Sequence, residues 1–263
     1  MYEETPTLGD WVLSLISADI LGFFVYCDII TMVIFMDLCR LELLIGDKIN
    51  LINNKTVLII GIGGVGGYAL EAITRAGVNN IIIVDGDTIS SSNINRQIIC
   101  NQNNIGKNKV DEAKKRILSI NPNCNIKTYN LFLDDVNVHE LFNEHIDYIM
   151  DCCDTIKVKK ELIRIAVNNN IKIISSMGTG RKLNPLKLTI TDIRKTSYDP
   201  IAKILRKMIK DEKITKKIPV VTSTEQSIKT NSKTIGSTPF VPGVAGLIMA
   251  SYVINDMIGE KIC

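Results

Sequence analysis

The chain has 263 residues and a mass of 29.2 kDa, which suits one large α/β domain or two small ones. Hydrophobic residues make up 46% and charged residues 22% of the sequence, which excludes a disordered or fibrous chain. An aromatic fraction of 5% disfavours a protein that binds single-stranded nucleic acid by base stacking. The seven cysteines form no C-x-x-C pair, which argues against a structural zinc site and a disulfide framework and indicates a reducing compartment.

The net charge of +3 is unevenly distributed along the chain. Residues 1–35 contain five acidic residues and no lysine or arginine, whereas residues 181–217 contain twelve basic residues against four acidic ones. Such a concentration of positive charge predicts a surface that meets a polyanion.

The N-terminal region contains a long apolar run at residues 11–35, which is long enough to cross a bilayer. Asp19 and Asp28 lie inside this run, and a central carboxylate costs about 3 kcal/mol on insertion scales. The run also lacks the basic residues of a signal or transit peptide. We therefore interpret residues 1–35 as an extension that precedes a domain of residues 36–263, with Met36 as a candidate native start. The expected location is cytoplasmic, and membrane association through residues 11–35 is the alternative.

From residue 55 onward, short β-rich runs alternate with amphipathic segments. Strands are predicted at residues 55–60, 81–85, 125–131, 148–151, 172–176 and 186–192, and helices at 68–76, 107–119, 157–167, 200–210 and 243–258. The run at 81–85 is almost pure isoleucine and valine, as a parallel sheet requires. Alternation with short links predicts an α/β fold, namely a Rossmann-like, doubly wound, mostly parallel sheet. Residues 223–237 are rich in Ser, Thr and Lys and are predicted to lack regular structure.

A glycine-rich turn, GIGGVGG, stands between the first strand and the first helix and provides Gly61, Gly63, Gly64 and Gly66. Glycines there allow a tight turn and let backbone N–H groups approach phosphate, and the helix N-terminus adds a favourable dipole. Asp85 ends the next strand, where a carboxylate can bond a ribose hydroxyl. Alone, these features predict an adenine-nucleotide site and leave NAD, FAD, S-adenosylmethionine and ATP open.

Polar and charged side chains follow the ends of the predicted strands. They are Asn93, Asn95 and Arg96 after the second strand, Lys109 in IGKNKV, and Asp154 in DCCDT. Ligands of open α/β sheets bind at the carboxyl ends of the strands. Arginine and lysine clamp phosphate oxygens and aspartate holds a metal ion, so the set suits a triphosphate with Mg²⁺ better than a neutral nicotinamide.

The ordered motifs GIGGVGG, IVDGDTISSSNINRQ, IGKNKV, INPNC and DCCDT together resemble the ubiquitin-activating-enzyme-like superfamily of adenylating enzymes. The resemblance covers about residues 40–154 and implies ATP and Mg²⁺ as cofactors, adenylation of a carboxylate and loss of pyrophosphate. By position it implies Gly63 and Gly64 at the phosphates, Asp85 at the ribose, Asn93 and Arg96 in the loop that touches the nucleotide, Lys109 at phosphate and Asp154 at Mg²⁺. It also implies that Arg40 reaches the ATP of a neighbouring subunit, hence a homodimer.

The second half of the chain narrows this resemblance. SSMGTGRKLNP, ITDIRKTSYDPIAKILRK and FVPGVAGLIMA resemble the branch of the superfamily that dehydrates threonylcarbamoyladenosine in tRNA. This implies that ATP adenylates the free carboxylate of the nucleoside, that an internal nucleophile displaces AMP, and that a cyclic product forms. The partner is then tRNA carrying threonylcarbamoyladenosine, and the basic segment 181–217 is expected to face it. The expected RNA-binding residues are Arg181, Lys182, Arg194, Lys195, Lys203, Arg206 and Lys207.

Three other functions stay open from the sequence. An activator that adenylates the C-terminus of a ubiquitin-like sulfur-carrier protein would use the same chemistry and would have that protein as its partner, although such activators usually carry two C-x-x-C zinc pairs. An NAD-dependent oxidoreductase would use the glycines and Asp85 but leave Arg96, Lys109 and Asp154 without a role. A non-catalytic adaptor, or a membrane-tethered RNA binder, would keep the fold without turnover.

Overall fold

The strands are four or five residues long, and the two central strands near the start of the domain are almost purely branched apolar residues. The computed structural model describes residues 36–260, so the predictions for residues 1–35 lie outside the described residues. The strands are β1 (Thr56–Ile60), β2 (Asn80–Val84), β3 (Asn125–Tyr129), β4 (Tyr148–Asp151), β5 (Lys172–Ser176), β6 (Leu188–Asp192) and β7 (Pro219–Ser223). They build one sheet in the order β3-β2-β1-β4-β5-β7-β6, in which only the β6–β7 pair is antiparallel.

Helices cover both faces of this sheet. In the described part of the chain they are α1 (Cys39–Ile45), α2 (Asn50–Asn53), α3 (Gly66–Arg75), α4 (Lys109–Ile120), α5 (Ile156–Asn168), α6 (Pro200–Asp211) and α7 (Phe240–Met257). The buried residues of α3, α4 and α7 belong to the core on one face, and those of α5 and α6 to the core on the other. The predicted doubly wound α/β fold is confirmed.

Each central strand contributes side chains to both cores. Val57 and Ile59 of β1 point to the α3 face, whereas Leu58 and Ile60 point to the α5 face. A strand that is covered on both sides needs apolar residues at every position, which explains the unbroken Ile and Val runs.

The last helix, α7, is apolar along most of its 18 residues. By length and composition it is the one helix within residues 36–260 that could cross a membrane. In this structure α7 packs along α3 and buries Val241, Met249 and Val253 in the core. It therefore acts as a core helix of the α/β domain.

The structure adds one strand that the sequence did not predict. Residues Pro219–Ser223 form β7, which lies between β5 and β6 and is buried at every position. The predicted strand at 186–192 also starts later, at Leu188, because the Asn184 side chain caps a turn at Pro185–Lys187. The remaining predicted elements agree with the structure within a few residues at their ends.

Candidate active site

A cleft of about 520 Å³ opens at the carboxyl ends of β1, β2 and β4. The strand order reverses at β1, because the chain goes from β1 to β2 on one side and returns to β4 on the other. Open α/β sheets bind their ligands at such a switch point. The predicted site residues that line the cleft are Gly61, Gly63, Gly64, Asp85, Asn93, Arg96, Lys109 and Asp154.

The glycine-rich turn connects β1 to α3 at the floor of this cleft. Gly61 has a φ of +85°, which side-chain-bearing residues rarely adopt, and it packs against the backbone of Cys152 and Cys153. A Cβ atom on Gly66 would lie 1.8 Å from the carbonyl oxygen of Gly61. Gly66 was predicted to contact the nucleotide. It is buried under the turn, does not line the cleft, and packs the helix against the turn.

Asp85 is held in place at the end of β2 by backbone donors. Its Oδ2 accepts from the N–H of Ile62 at 2.7 Å, and its Oδ1 accepts from the N–H of Asp87 at 2.9 Å. Lys109 is buried, and its Nζ lies 2.6 Å from Asp87 Oδ2 and 3.7 Å from Asp85 Oδ1. Asp87 therefore positions Lys109, the predicted phosphate lysine. The only sequence signal for this role of Asp87 is its position in the DGD triplet at residues 85–87.

Arg96 is oriented by its own loop. Its Nη1 donates to the carbonyl oxygen of Ser92 and to Asn95 Oδ1, both at 2.8 Å. The Nδ2 of Asn95 donates to the carbonyl oxygen of Ser237 at 3.1 Å. Asn95 does not line the cleft. Asn95 was predicted to contact the nucleotide. Instead it accepts a hydrogen bond from Arg96 and connects the Arg96 loop to the segment that precedes α7.

The two aspartates of DCCDT have different environments. Asp151 is fully buried and its Oδ2 lies 3.0 Å from the Nζ of Lys159, which also donates to Ser175 Oγ and the carbonyl oxygen of Ser176. Burial alone would lower the pKa of Lys159, but the Asp151 carboxylate raises it above its usual value. Asp154 is exposed in the cleft and makes no recorded hydrogen bond or ion pair within the described chain. Only Asp154 is therefore available to a ligand.

Cys152 and Cys153 line the cleft beside Asp154. Burial raises the pKa of both thiols, and the nearby Asp151 carboxylate raises it further. Because the thiolate is the reactive form of cysteine, neither side chain is set up as a nucleophile.

Several of the predicted RNA-binding residues are exposed. Lys203 and Lys207 lie on the outer side of α6, and Lys210 continues the same face one turn further on. Lys195 is exposed just before this helix. The three exposed lysines of the helix form a basic strip. We call it the α6 strip and define it as Lys203, Lys207 and Lys210.

The other members of the predicted RNA-binding set are buried or form hydrogen bonds within the protein. Lys182 is only 3% exposed, so it is not a surface contact and that part of the prediction is corrected. Arg206 is half-buried and donates to the carbonyl oxygen of Thr196. Arg194 pairs with Asp192 and donates to the carbonyl oxygens of residues 214 and 216. Arg181 donates to the carbonyl oxygen of Ser232.

Arg40 is exposed on α1 and does not line the cleft of its own chain. Arg40 was predicted to reach the cleft of a neighbouring subunit, and its place outside its own cleft leaves that prediction as it stands.

The cleft has the features that a nucleoside triphosphate with one divalent cation requires. A Cβ on Gly63 would meet nothing closer than 3.9 Å, so there is room beside the turn for a phosphate. Arg96 and Lys109 supply positive charge, and Asp154 supplies an unengaged carboxylate. Mg²⁺ needs only one or two carboxylates together with phosphate oxygens and water. Within residues 36–260 there is no group of three or more His, Cys, Asp or Glu side chains that would hold a metal ion by themselves.

The fold and the cleft define a Rossmann-like nucleotide-binding protein built to bind the phosphates of an adenine nucleotide. Residues 38–261 match the ThiF family, and the chain belongs to this family. It is 37% identical over 239 residues to the tRNA threonylcarbamoyladenosine dehydratase of Bacillus subtilis (strain 168), covering 84% of this chain and 94% of the relative.

Solved structures agree with this family. The crystal structure of Escherichia coli tRNA N6-threonylcarbamoyladenosine dehydratase in complex with AMP superposes with a TM-score of 0.78 at 29% identity, covering 83% of this chain and 92% of the other. The complex of the same enzyme with ATP superposes equally well. A shorter similarity, 40% over 129 residues, links the chain to an adenylyltransferase and sulfurtransferase of Vanderwaltozyma polyspora, and covers 49% of this chain and 29% of that protein.

Proposed function

We propose that this protein is an ATP-dependent tRNA threonylcarbamoyladenosine dehydratase. It transfers AMP from ATP to the free carboxylate of the threonylcarbamoyl group and releases pyrophosphate. An internal nucleophile of the same group then attacks the activated carbonyl carbon, AMP leaves, and a ring closes with the net loss of one water. The observation that carries this proposal is the convergence of Arg96, Lys109 and Asp154 on one cleft beside the glycine-rich turn.

The chemistry explains why these residues are needed. A carboxylate is a poor electrophile because its leaving group would be oxide, whereas an acyl adenylate loses AMP. Arg96 and Lys109 are fixed by their neighbours and stabilise the charge that develops at the α-phosphate. Asp154 would hold Mg²⁺, which supplies electrostatic stabilisation of the phosphate oxygens when bound. Ring closure is intramolecular. Holding the nucleophile and the carbonyl carbon in one geometry lowers the activation barrier by about 7–11 kcal/mol in the best intramolecular reactions.

The α6 strip supports a tRNA substrate. Asp199 caps the N-terminus of α6 and accepts from the N–H of Gly178 at 2.9 Å, and the next residue, Thr179, lines the cleft. The helix therefore extends away from the cleft, and its exposed lysines follow at successive turns. A polyanion whose modified base enters the cleft would pass along this strip.

We further propose a homodimer in which Arg40 of one subunit serves the cleft of the other. Arg40 is exposed and absent from its own cleft. On the same helix, Leu43 and Leu44 are 85% and 83% exposed, which is an unusual position for adjacent leucines and is typical of an interface. Because the substrates are ATP and tRNA, we place the enzyme in the cytoplasm.

A sulfur-carrier activator is the second candidate, supported by the similarity to the sulfurtransferase over about half of the chain. It would adenylate the C-terminus of a small protein in the same cleft. A stable complex with such a protein, formed in the presence of ATP, would favour this candidate over the dehydratase.

The proposal is tested by mass spectrometry of nucleosides from tRNA that contains threonylcarbamoyladenosine. The tRNA is incubated with ATP, Mg²⁺ and either the full chain or the protein that starts at Met36. We expect the nucleoside to lose the mass of one water only when ATP is present. Asp154→Asn should abolish AMP formation and leave the fold intact, whereas Glu140→Gln, a change at an exposed acid outside the cleft, should have no effect. An unchanged nucleoside, with ATP still bound, would contradict the dehydratase proposal.

A further inference from the structure

A buried lysine without a partner lies in the loop that follows β5. Lys182 is 3% exposed, and its Nζ has no hydrogen-bond partner among residues 36–260. The hydroxyl of Thr222, on the neighbouring strand β7, is also buried and unpartnered within that range. Ser176 of β5 lies opposite Val221 of β7, so Thr222 stands at the same end of the sheet as this loop. Two buried, unsatisfied polar groups therefore lie at the same end of the sheet.

The carboxylates around Lys182 are already engaged. Asp199 accepts from the N–H groups of Gly178 and Ala202, and Glu225 accepts from the N–H groups of Leu183 and Asn184. Burial lowers the pKa of Lys182, and the charges of Asp199 and Glu225 only partly oppose this. An ammonium group has three donors and no acceptor, so leaving it dry and unbonded is costly. A buried group without a partner calls for an explanation, and a ligand that completes its hydrogen bonds is one.

The position of this loop relative to the cleft indicates what the ligand is. Gly61, Asp85 and Lys109 gather at the ends of β1 and β2 and bind the nucleotide in the proposed function. The side of the cleft beyond β4, toward β5 and β7, is then left for the acyl substrate. Thr179, three residues before Lys182, lines that side of the cleft.

We propose that Lys182 and Thr222 bind the oxygen atoms of the substrate's threonylcarbamoyl group and hold its carboxylate against the α-phosphate of ATP. This inference rests on the proposed function and names the residues that bind its acyl substrate. The ammonium of Lys182 donates to a carboxylate or ureido oxygen, and the hydroxyl of Thr222 donates to a second one.

The segment of residues 224–239, which joins β7 to α7, is hydrogen-bonded to the loop that carries Lys182. Two backbone hydrogen bonds of 2.8 Å connect it to Arg181, one from the N–H of Ile228 and one from the N–H of Arg181 to Gly236. Ile228 and Ile235 are exposed, so the segment is held by hydrogen bonds with little apolar burial. Segments of this kind open at low cost in free energy. In this proposal the substrate reaches Lys182 when residues 224–239 open.

The test compares Lys182→Met with the wild-type full chain. Methionine keeps a similar length and removes a buried, unpartnered charge, so we expect an unchanged or higher Tm. We expect kcat/KM for threonylcarbamoyladenosine-containing tRNA to fall at least about tenfold, because a hydrogen bond to a charged group is lost. The Kd for ATP, measured by titration without tRNA, should change less than about twofold, because Lys182 does not line the nucleotide half of the cleft.

Three further variants complete the test. Thr222→Val removes the hydroxyl at constant shape and should lower kcat/KM with the Kd for ATP unchanged. Lys182→Arg keeps the charge and should retain more activity than Lys182→Met. Lys114→Met removes the same charge from an exposed position on α4 and should behave as wild type.

The outcomes separate this inference from the function on which it rests. If the wild-type enzyme dehydrates this tRNA and the Lys182→Met and Thr222→Val variants are equally active, the inference is overturned but the proposed function stands. A wild-type enzyme that never dehydrates the nucleoside would overturn both.

Discussion

Three aspartates at the ends of neighbouring strands carry out different tasks because their surroundings differ. Asp85 is held by the N–H groups of Ile62 and Asp87, so the protein itself fixes its position. Asp151 is buried against Lys159 and stabilises the strand end. Asp154, three residues later, is exposed in the cleft. Burial and hydrogen bonding at each carboxylate therefore decide which one remains available to a metal ion.

At the residue scale, two glycines of the same turn should respond differently to alanine. In Gly66→Ala the new carbon would overlap the carbonyl oxygen of Gly61, so the turn must shift, and we expect a loss of about 2–3 kcal/mol in the free energy of unfolding. In Gly63→Ala the carbon meets nothing within 3.9 Å, so stability should be unchanged while ATP affinity falls. Urea unfolding and ATP titration measure the two effects. A Gly66→Ala protein as stable as wild type would contradict the packing described for the turn.

At the scale of elements, α3 and α4 are joined by one buried acid. Glu71 of α3 accepts hydrogen bonds from Arg75 one turn away and from Arg116 of α4, at 2.7–2.9 Å. Burial raises the pKa of Glu71, but the hydrogen bonds from Arg116 and Arg75 outweigh it and hold the pKa below its usual value.

The stability that Glu71 contributes should therefore depend on pH. A carboxyl group whose pKa is lower in the folded state stabilises fully above its unfolded pKa, and the effect is lost as the pH falls through the folded pKa. We expect Glu71→Gln to lower the free energy of unfolding by about 1–2 kcal/mol at pH 7. This loss is smaller than that for a fully buried ion pair, because both arginines are half-exposed. The variant and the wild type should converge below the folded pKa. Urea unfolding across this pH range measures the difference, and a constant difference at all pH values would contradict the assignment.

The second element with a testable role is α6. Changing Lys203, Lys207 and Lys210 to glutamine should weaken tRNA binding and reduce the slope of log K against log salt by about three, because each phosphate contact releases counterions. Glutamine at Lys114, Lys115 and Lys127, which are exposed on α4 and β3, provides the charge-matched control. Equal salt slopes for the two triple variants would place the RNA surface elsewhere.

At the scale of the whole molecule, the proposed homodimer makes each site depend on two chains. Arg40→Ala should inactivate the cleft of the neighbour, and Asp154→Asn the cleft of its own chain. In a mixture of the two variants, half of the dimers are mixed, and each mixed dimer has one intact site. We therefore expect two inactive proteins to recover about one quarter of wild-type activity when mixed and exchanged. No recovery, in dimers shown to exchange, would rule out a role for Arg40 in the neighbouring cleft.

The sequence by itself determined the alternation of strands and helices, the glycine-rich turn and most of the residues around the cleft. These features are local, since a buried parallel strand needs an unbroken apolar run and a phosphate turn needs adjacent glycines. Only the tertiary structure decided that β7 fills the gap between β5 and β6, that Gly66 and Asn95 support the site from outside the cleft, and that Lys182 is buried. Lysine at 182 and lysine at 203 look alike in the sequence. They differ because Lys182 lies in a loop that is hydrogen-bonded at Arg181 to residues 228 and 236, far away in the chain, whereas Lys203 lies on the outer side of a helix.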